Sequence, residues 1–284
     1  MLYSAAMTWQ YLGERPEQRP LLARLIGVAG HLQAWRAIAE RELRLRYVGS
    51  TLGLAWAVVH PLLFVGAYTV IFAFVFRARL APDAPRDQYA LYVVLGLLPW
   101  VAVTDVATRA TEAMATHRSL VKHVRFPLEV VPLYSLAASL LSLLVGLLVL
   151  LPVLGWRQGG LPWGAVGLPL ILLAQVAFTV GLAWLLGAVG AFLRDIKELV
   201  QITFMIGMFL TPIFYVESVL PAPLRPIIWL NPLAHLATLY RGALLTAMPF
   251  DALPVVVFSL ASLFTLVVGF AVFERARKLL TDLL

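Results

Sequence analysis

The chain has 284 residues, a formal charge of +7, and a composition that is 61% hydrophobic and only 13% charged. Soluble domains run to about 45–50% apolar and about 25% charged, so this is an integral membrane protein solvated by lipid. Cysteine is absent, which excludes disulfides, thiolate nucleophiles and Cys-ligated metals.

The first 20 residues carry Glu14, Arg15, Pro16, Glu17, Arg19 and Pro20 and hold no apolar core of about 7–15 residues, as a cleavable signal peptide requires. The amino terminus is expected to stay on the side where it was made. Residues 1–30 form an N-terminal segment, 31–52 an amphipathic helix with its lead-in, and 53–284 the transmembrane domain. Within 31–47, Leu32, Trp35, Ala39, Leu43 and Tyr47 fall on one side at 100° per residue, with Gln33, Glu40, Arg41 and Arg44 mostly opposite. That pattern favours a helix lying at the membrane surface over one packed on the bundle.

A crossing needs roughly 20 apolar residues at about 1.5 Å each, and six such stretches occur near 53–76, 89–108, 128–151, 168–193, 197–216 and 254–273. In the first, Trp56, His60, Phe64, Tyr68, Phe72 and Phe76 recur every fourth residue and wind slowly along one helix face. Lipid-facing aromatics gather at the two interfaces rather than through the middle. Two readings of this ladder stand level: helix packing, and a row of rings that stack against sugars. Tyrosines aside, the ionisable residues of the first two crossings are His60 in crossing one and Asp105 near the cytoplasmic end of crossing two. Asp105, four residues before Arg109, reads as half of an intrahelical ion pair rather than a proton relay.

The loop 109–127 holds Arg109, Glu112, His117, Arg118, Lys122, His123 and Arg125 around Met114, Leu120 and Val121, and ends at Phe126-Pro127. Charge patterning alone makes it a solvated connector, with docking the lesser reading. Between crossings four and five, Arg194, Asp195, Lys197 and Glu198 force a tight turn closed by local ion pairs. Residues 217–249 carry Pro221, Pro223, Pro226, Pro232 and Pro249 among apolar residues. This stretch is too apolar for a solvated loop and too broken for a crossing, so a re-entrant helical hairpin is expected.

With both termini inside, the cytoplasmic segments hold 16 of the 22 Lys and Arg residues, as positively charged flanks require. The positive charge therefore reflects topology and anionic headgroups, not nucleic acid. No Gly-x-x-x-x-Gly-Lys-Ser/Thr phosphate loop, His-Glu-x-x-His or Gly-x-Ser-x-Gly motif occurs. An embedded glycosyl- or acyltransferase would need ionisable residues clustered at one membrane face, and a passive channel would work without nucleotide.

Arg44-Leu45-Arg46-Tyr47 and Gly49-Ser50-Thr51-Leu52-Gly53 precede crossing one, and Leu120-Val121-Lys122 with Phe126-Pro127 follow crossing two. Phe192-Leu193-Arg194-Asp195-Ile196, Thr211-Pro212-Ile213-Phe214-Tyr215, Asn231-Pro232 and Tyr240-Arg241 come after. In that order, from about residue 28 to the last crossing, the chain resembles the permease subunit of type-2 ATP-binding-cassette polysaccharide exporters. Ser119 stands where that family often carries Asn.

The resemblance implies a homodimer with two copies of a separate ATPase that holds ATP and Mg, this chain holding no cofactor itself. It implies ATP-driven export of a lipid-linked polysaccharide, O-antigen first and teichoic acid or capsule next, across the bacterial inner membrane. By the same resemblance 31–47 is an interface helix, 109–123 a coupling helix with His117, Leu120, Val121, Lys122 and His123, and 217–249 a pair of external gate helices. Arg44, Arg194 and Asp195 fall at the cytoplasmic entrance, and Pro212, Trp229, Asn231, Tyr240 and Arg241 at the gate. The conduit side takes Trp56, His60, Phe64, Tyr68, Phe72 and Tyr215.

Overall fold

The computed structural model describes residues 21–47, 55–71, 86–117, 127–193, 195–217, 221, 223, 225–246, 248 and 250–283, and every regular element among them is a helix. Helices α1 (Leu21–Val28) and α2 (Leu32–Tyr47) are joined through a 3-10 turn. They are followed by α3 (Trp56–Val70) and α4 (Arg86–Thr116). A 3-10 turn at Leu128–Leu133 leads into α5 (Leu136–Gln158), and another at Trp163–Gly167 into α6 (Leu168–Phe192). The chain continues through α7 (Ile196–Leu210), α8 (Arg225–Leu230), α9 (Pro232–Leu244) and α10 (Ala252–Leu283).

Four stretches among the described residues are long and apolar enough to span a membrane: Gln88–Thr116, Leu128–Gln158, Trp163–Phe192 and Ala252–Arg277. They answer to expected crossings two, three, four and six. Of crossing one, α3 covers 15 residues, and residues 53–54 and 72–76 lie outside the described residues. Crossing five differs from expectation, because α7 stops at Leu210 after 15 residues, about 22 Å of helix against the roughly 30 Å of a full crossing. Pro212 is the reason: it pushes the preceding Thr211 out of the helical region, to φ −85° and ψ 138°.

Helix α4 runs on to Thr116 instead of stopping near 108, so 109–116 is its last two turns, and residues 118–123 of the expected coupling helix lie outside the described residues. Its charges are paired where it leaves the apolar zone. Arg109 Nε donates to Asp105 at 2.9 Å and its Nη1 lies 3.5 Å from Glu42, while Lys197 Nζ donates to Glu112 at 2.7 Å. The pairing of Asp105 with Arg109 is the one the spacing predicts. In the first turn of α7, by contrast, Lys197 pairs across to α4 rather than locally.

Helix α10 likewise extends past the expected 273, because its charged end is neutralised. Glu274 pairs with Arg24 and, at 3.4 Å, with Arg277, which also reaches Glu129 at 3.5 Å. Helix α2 packs on the bundle: Ile38 and Ala39 are buried, and Trp35 Nε1 donates to the Leu133 carbonyl at 3.1 Å. Leu32 stays exposed, so the packed side centres on Trp35, Ile38 and Ala39 rather than on the whole expected stripe.

Two apolar clusters share the helices of the bundle. One gathers the N-terminal half of α4 with α5, α6 and α9, and the other gathers the C-terminal half of α4 with the Leu128–Leu133 turn, α6 and α10. Glycines set how closely the helices meet. A Cβ at Gly181 of α6 would collide with the α10 backbone at Thr265 and Leu266, one at Gly269 with the backbone of Gly181, and one at Gly190 with Thr111 of α4. Lipid tails give helices no hydrophobic reason to associate, so close backbone approach of this kind supplies the contact.

Candidate functional site

The ending of α7 leaves carbonyls at 212–215 without helical partners, and an unpaired backbone group at membrane depth costs several kcal/mol. Three side chains from two other helices answer them. Arg241 of α9 donates through Nη1 to the Pro212 carbonyl at 2.8 Å and through Nη2 to that of Ile213 at 3.2 Å. Its Nε donates to the Tyr92 carbonyl of α4 at 3.0 Å. Tyr92 Oη donates to the carbonyls of Tyr215 at 3.0 Å and Pro212 at 3.2 Å, and Tyr89 Oη to that of Phe214.

Arg241 is 2% exposed, and a buried charge needs compensation. Here it comes from three carbonyl dipoles and from the Tyr92 ring, 3.5 Å from the guanidinium carbon. Charge-assisted hydrogen bonds contribute about 1.5–3 kcal/mol each and a desolvated cation over a ring about 2 kcal/mol, enough to offset a burial cost of several kcal/mol. The pocket exists because position 96 is glycine, where an added Cβ would meet Arg241 Nη2 at 2.5 Å.

Two further ties fix α9. Asn231 is its N-cap, accepting from the Leu233 amide at 3.0 Å, with Pro232 in the first turn. The same side chain donates to Thr211 Oγ1 at 2.7 Å, and Thr211 donates to the Gly207 carbonyl, so the start of α9 is clipped to the end of α7. Deeper in, Tyr240 Oη donates to Gln175 Oε1 at 2.5 Å, and Gln175 Nε2 donates to the Pro99 carbonyl at 3.3 Å. This buried polar line joins α9, α6 and α4.

Of the residues expected at the gate, Pro212, Asn231 and Arg241 are therefore brought together around one broken helix, while Tyr240 turns to Gln175 of α6. Trp229 stands apart and exposed, its Nε1 on Glu217 at 3.0 Å. Tyr215, expected at the conduit, turns back to donate to the Leu210 carbonyl at 2.9 Å. Within the ladder, Phe64 and Tyr68 lie 4.7 Å apart, half-buried against the core, whereas His60 is exposed and Trp56 half-buried.

His117 is buried edge-on to Tyr134 at 4.6 Å. Burial, and then the Arg41 charge, hold its imidazole below the ordinary value. Arg44 and Asp195 are exposed. Phe72, Leu120, Val121, Lys122, His123 and Arg194 lie outside the described residues.

Sequence reasoning passed over Tyr89, Tyr92, Gly96 and Gln175. A signal for them exists: Tyr89, Tyr92 and Gly96 follow the i, i+3, i+7 spacing of one helix face, and Gln175 is a lone amide in an apolar crossing.

Long apolar helices in glycine contact, with a broken helix whose carbonyls are held by a buried arginine, define a multi-pass membrane protein. The sequence profile of the ABC-2 type transporter family matches residues 33–245. The chain belongs to that family, whose members are transporter membrane subunits. It is 29% identical over 245 residues to the O-antigen export system permease protein RfbA of Myxococcus xanthus, covering 85% of this chain and 92% of that one. To the protein of the same name from Klebsiella pneumoniae it is 28% identical over 87% of this chain and 93% of the relative. The polysialic acid transport protein KpsM of Escherichia coli is 22% identical over 87% and 95%.

Proposed function

We propose that this chain is the permease of an ATP-driven exporter that moves a lipid-linked polysaccharide, an O-antigen-type glycan first, across the bacterial inner membrane. The observation that carries this is the likeness, along most of both chains, to proteins named O-antigen export permeases. The lower identity to a polysialic acid transport protein keeps capsule, and with it teichoic acid, as the second substrate reading.

In this reading two copies of the chain form the conduit, each crossing six times with both termini cytoplasmic, and α8 with α9 forms the external gate hairpin. Two copies of a separate ATPase hold ATP and Mg, since this chain has no phosphate-loop motif. The ATPase docks around Leu120, Val121 and Lys122, because in the sequence two apolar residues stand among charged ones there, the composition of an anchor with a charged rim.

The test is purification and reconstitution. The chain is expected to copurify with an ATPase at equal stoichiometry and to hydrolyse no nucleotide by itself. Replacing Leu120 and Val121 with Asp is expected to dissociate or uncouple the complex while the bundle still folds. Robust hydrolysis by the isolated chain overturns the reading, and wild-type complex yield with substrate-stimulated hydrolysis in the double variant overturns the docking assignment.

A further inference from the structure

Helices α5 and α6, two of the spanning stretches, are joined by residues 159–167. Gly159 and Gly160 have φ of 72° and 145°, a conformation open to glycine, and they turn the chain sharply off the end of α5. The loop is also fastened to the C-terminal end of α9. Gln158 Nε2 donates to the Leu244 carbonyl at 2.9 Å, and its Oε1 accepts from the Thr246 amide at 2.7 Å and hydroxyl at 2.8 Å. Gly164 lies flush on α9, where an added Cβ would meet Ala243 Cα at 2.9 Å. Loop and helix end form one unit.

Several large apolar side chains of this unit point outward: Trp156 is 81% exposed, Trp163 89%, Val166 70% and Leu161 47%. An indole presents about 150–250 Å² of surface, so leaving two in water forgoes a large area of favourable apolar burial. The patch is continuous with the exposed Leu144, Leu148 and Val153 of α5 and with Leu170 and Leu173 of α6, the outward sides of two spans. Its rim carries a cation, the Arg157 guanidinium, 6.0 Å from the Trp156 ring. Indoles at the end of a span beside an arginine suit the headgroup layer, where the ring sits at the acyl boundary and the charge reaches a phosphate oxygen.

We propose that the α5–α6 loop, through Trp163, and the last turn of α5, through Trp156 and Arg157, bind phospholipid and so tether the C-terminal end of α9 to the membrane surface. A second copy of the chain fits the patch less well, because the cation and the run of exposed apolar residues along two spanning helices both match a phospholipid leaflet.

The chain contains no cysteine, so Val166→Cys gives a unique attachment point for a nitroxide label. In nanodiscs of phosphatidylethanolamine and phosphatidylglycerol, the label is expected to collide with oxygen more than with a water-soluble nickel chelate, as a Leu148→Cys reference label does. Greater collision with the nickel chelate overturns the proposal. So does low collision with both probes accompanied by spin–spin broadening, which would place a second copy there.

The tether is read separately by hydrogen exchange. Trp156→Ser with Trp163→Ser is expected to speed exchange severalfold at Gly242–Thr246 while α4 stays protected. Unchanged exchange there, in a protein whose α4 is protected, refutes the tether.

Discussion

Arg241 shows how one side chain makes a broken helix tolerable at membrane depth. Its fork matches the Pro212 and Ile213 carbonyls while Nε takes that of Tyr92, a geometry the single ammonium of lysine cannot reproduce. Arg241→Met, close in apolar volume, is expected to lower stability by about 3 kcal/mol, since orphaned buried acceptors cost about 1–3 kcal/mol each. Arg241→Lys should recover only part of that. Gly96→Ala fills the space Arg241 Nη2 occupies and should cost a similar amount in the native background but much less beside Arg241→Met. Unfolding of the purified variants in detergent gives this double-mutant cycle. Simple additivity would mean that Gly96 does not act by making room for the guanidinium.

Between elements, the decisive contacts are those with almost nothing in them. Helices α6 and α10 meet where Gly181 and Gly269 let their backbones touch. A methyl group at either site cannot be absorbed by a side-chain rotation, because the colliding atoms are backbone. Gly181→Ala and Gly269→Ala are each expected to destabilise by about 1–3 kcal/mol or more through overpacking. Gly66→Ala is the internal control: among the described residues nothing lies within 4 Å of its Cβ site, so the change should be neutral or gain up to about 1 kcal/mol from helix propensity. Thermal midpoints of the three variants, measured side by side, check the ordering. Equal effects at all three positions would remove the glycine contact from the account of how α6 and α10 pack.

At the scale of the whole molecule, the aromatic ladder decides between a conduit surface and packing. The rings of Phe64 and Tyr68 meet at a tilt of 45°, half-buried against the core, and His60 of the same helix is exposed. A sliding polymer calls for many weak, similar contacts, and each ring supplies on the order of 1 kcal/mol. Under the proposed export function, replacing Phe64, Tyr68 and Phe72 together with Leu is expected to reduce export of full-length glycan while the protein still accumulates in the membrane. Normal export by a well-expressed triple variant assigns the ladder to packing.

The lipid-solvated, all-helical character of the chain, the centres of its long apolar helices and the Asp105–Arg109 pair were legible from the sequence. Hydrophobic run length and i, i+4 spacing are local quantities, fixed by the rise of a helix and the thickness of a bilayer. The ordered motifs likewise marked out Thr211-Pro212, Asn231-Pro232 and Tyr240-Arg241 before any contact between them was known. Tertiary structure decided the rest. That α4 continues to Thr116 depends on Glu42 and Lys197, which reach its charges from α2 and α7. That Arg241 is buried depends on Gly96 and Tyr92 of α4 and on carbonyls freed 28 and 29 residues before it in the chain. Whether a charge is exposed, paired or clasped by carbonyls is a property of what surrounds it in space, and partners so distant along the chain leave no periodicity from which that can be read.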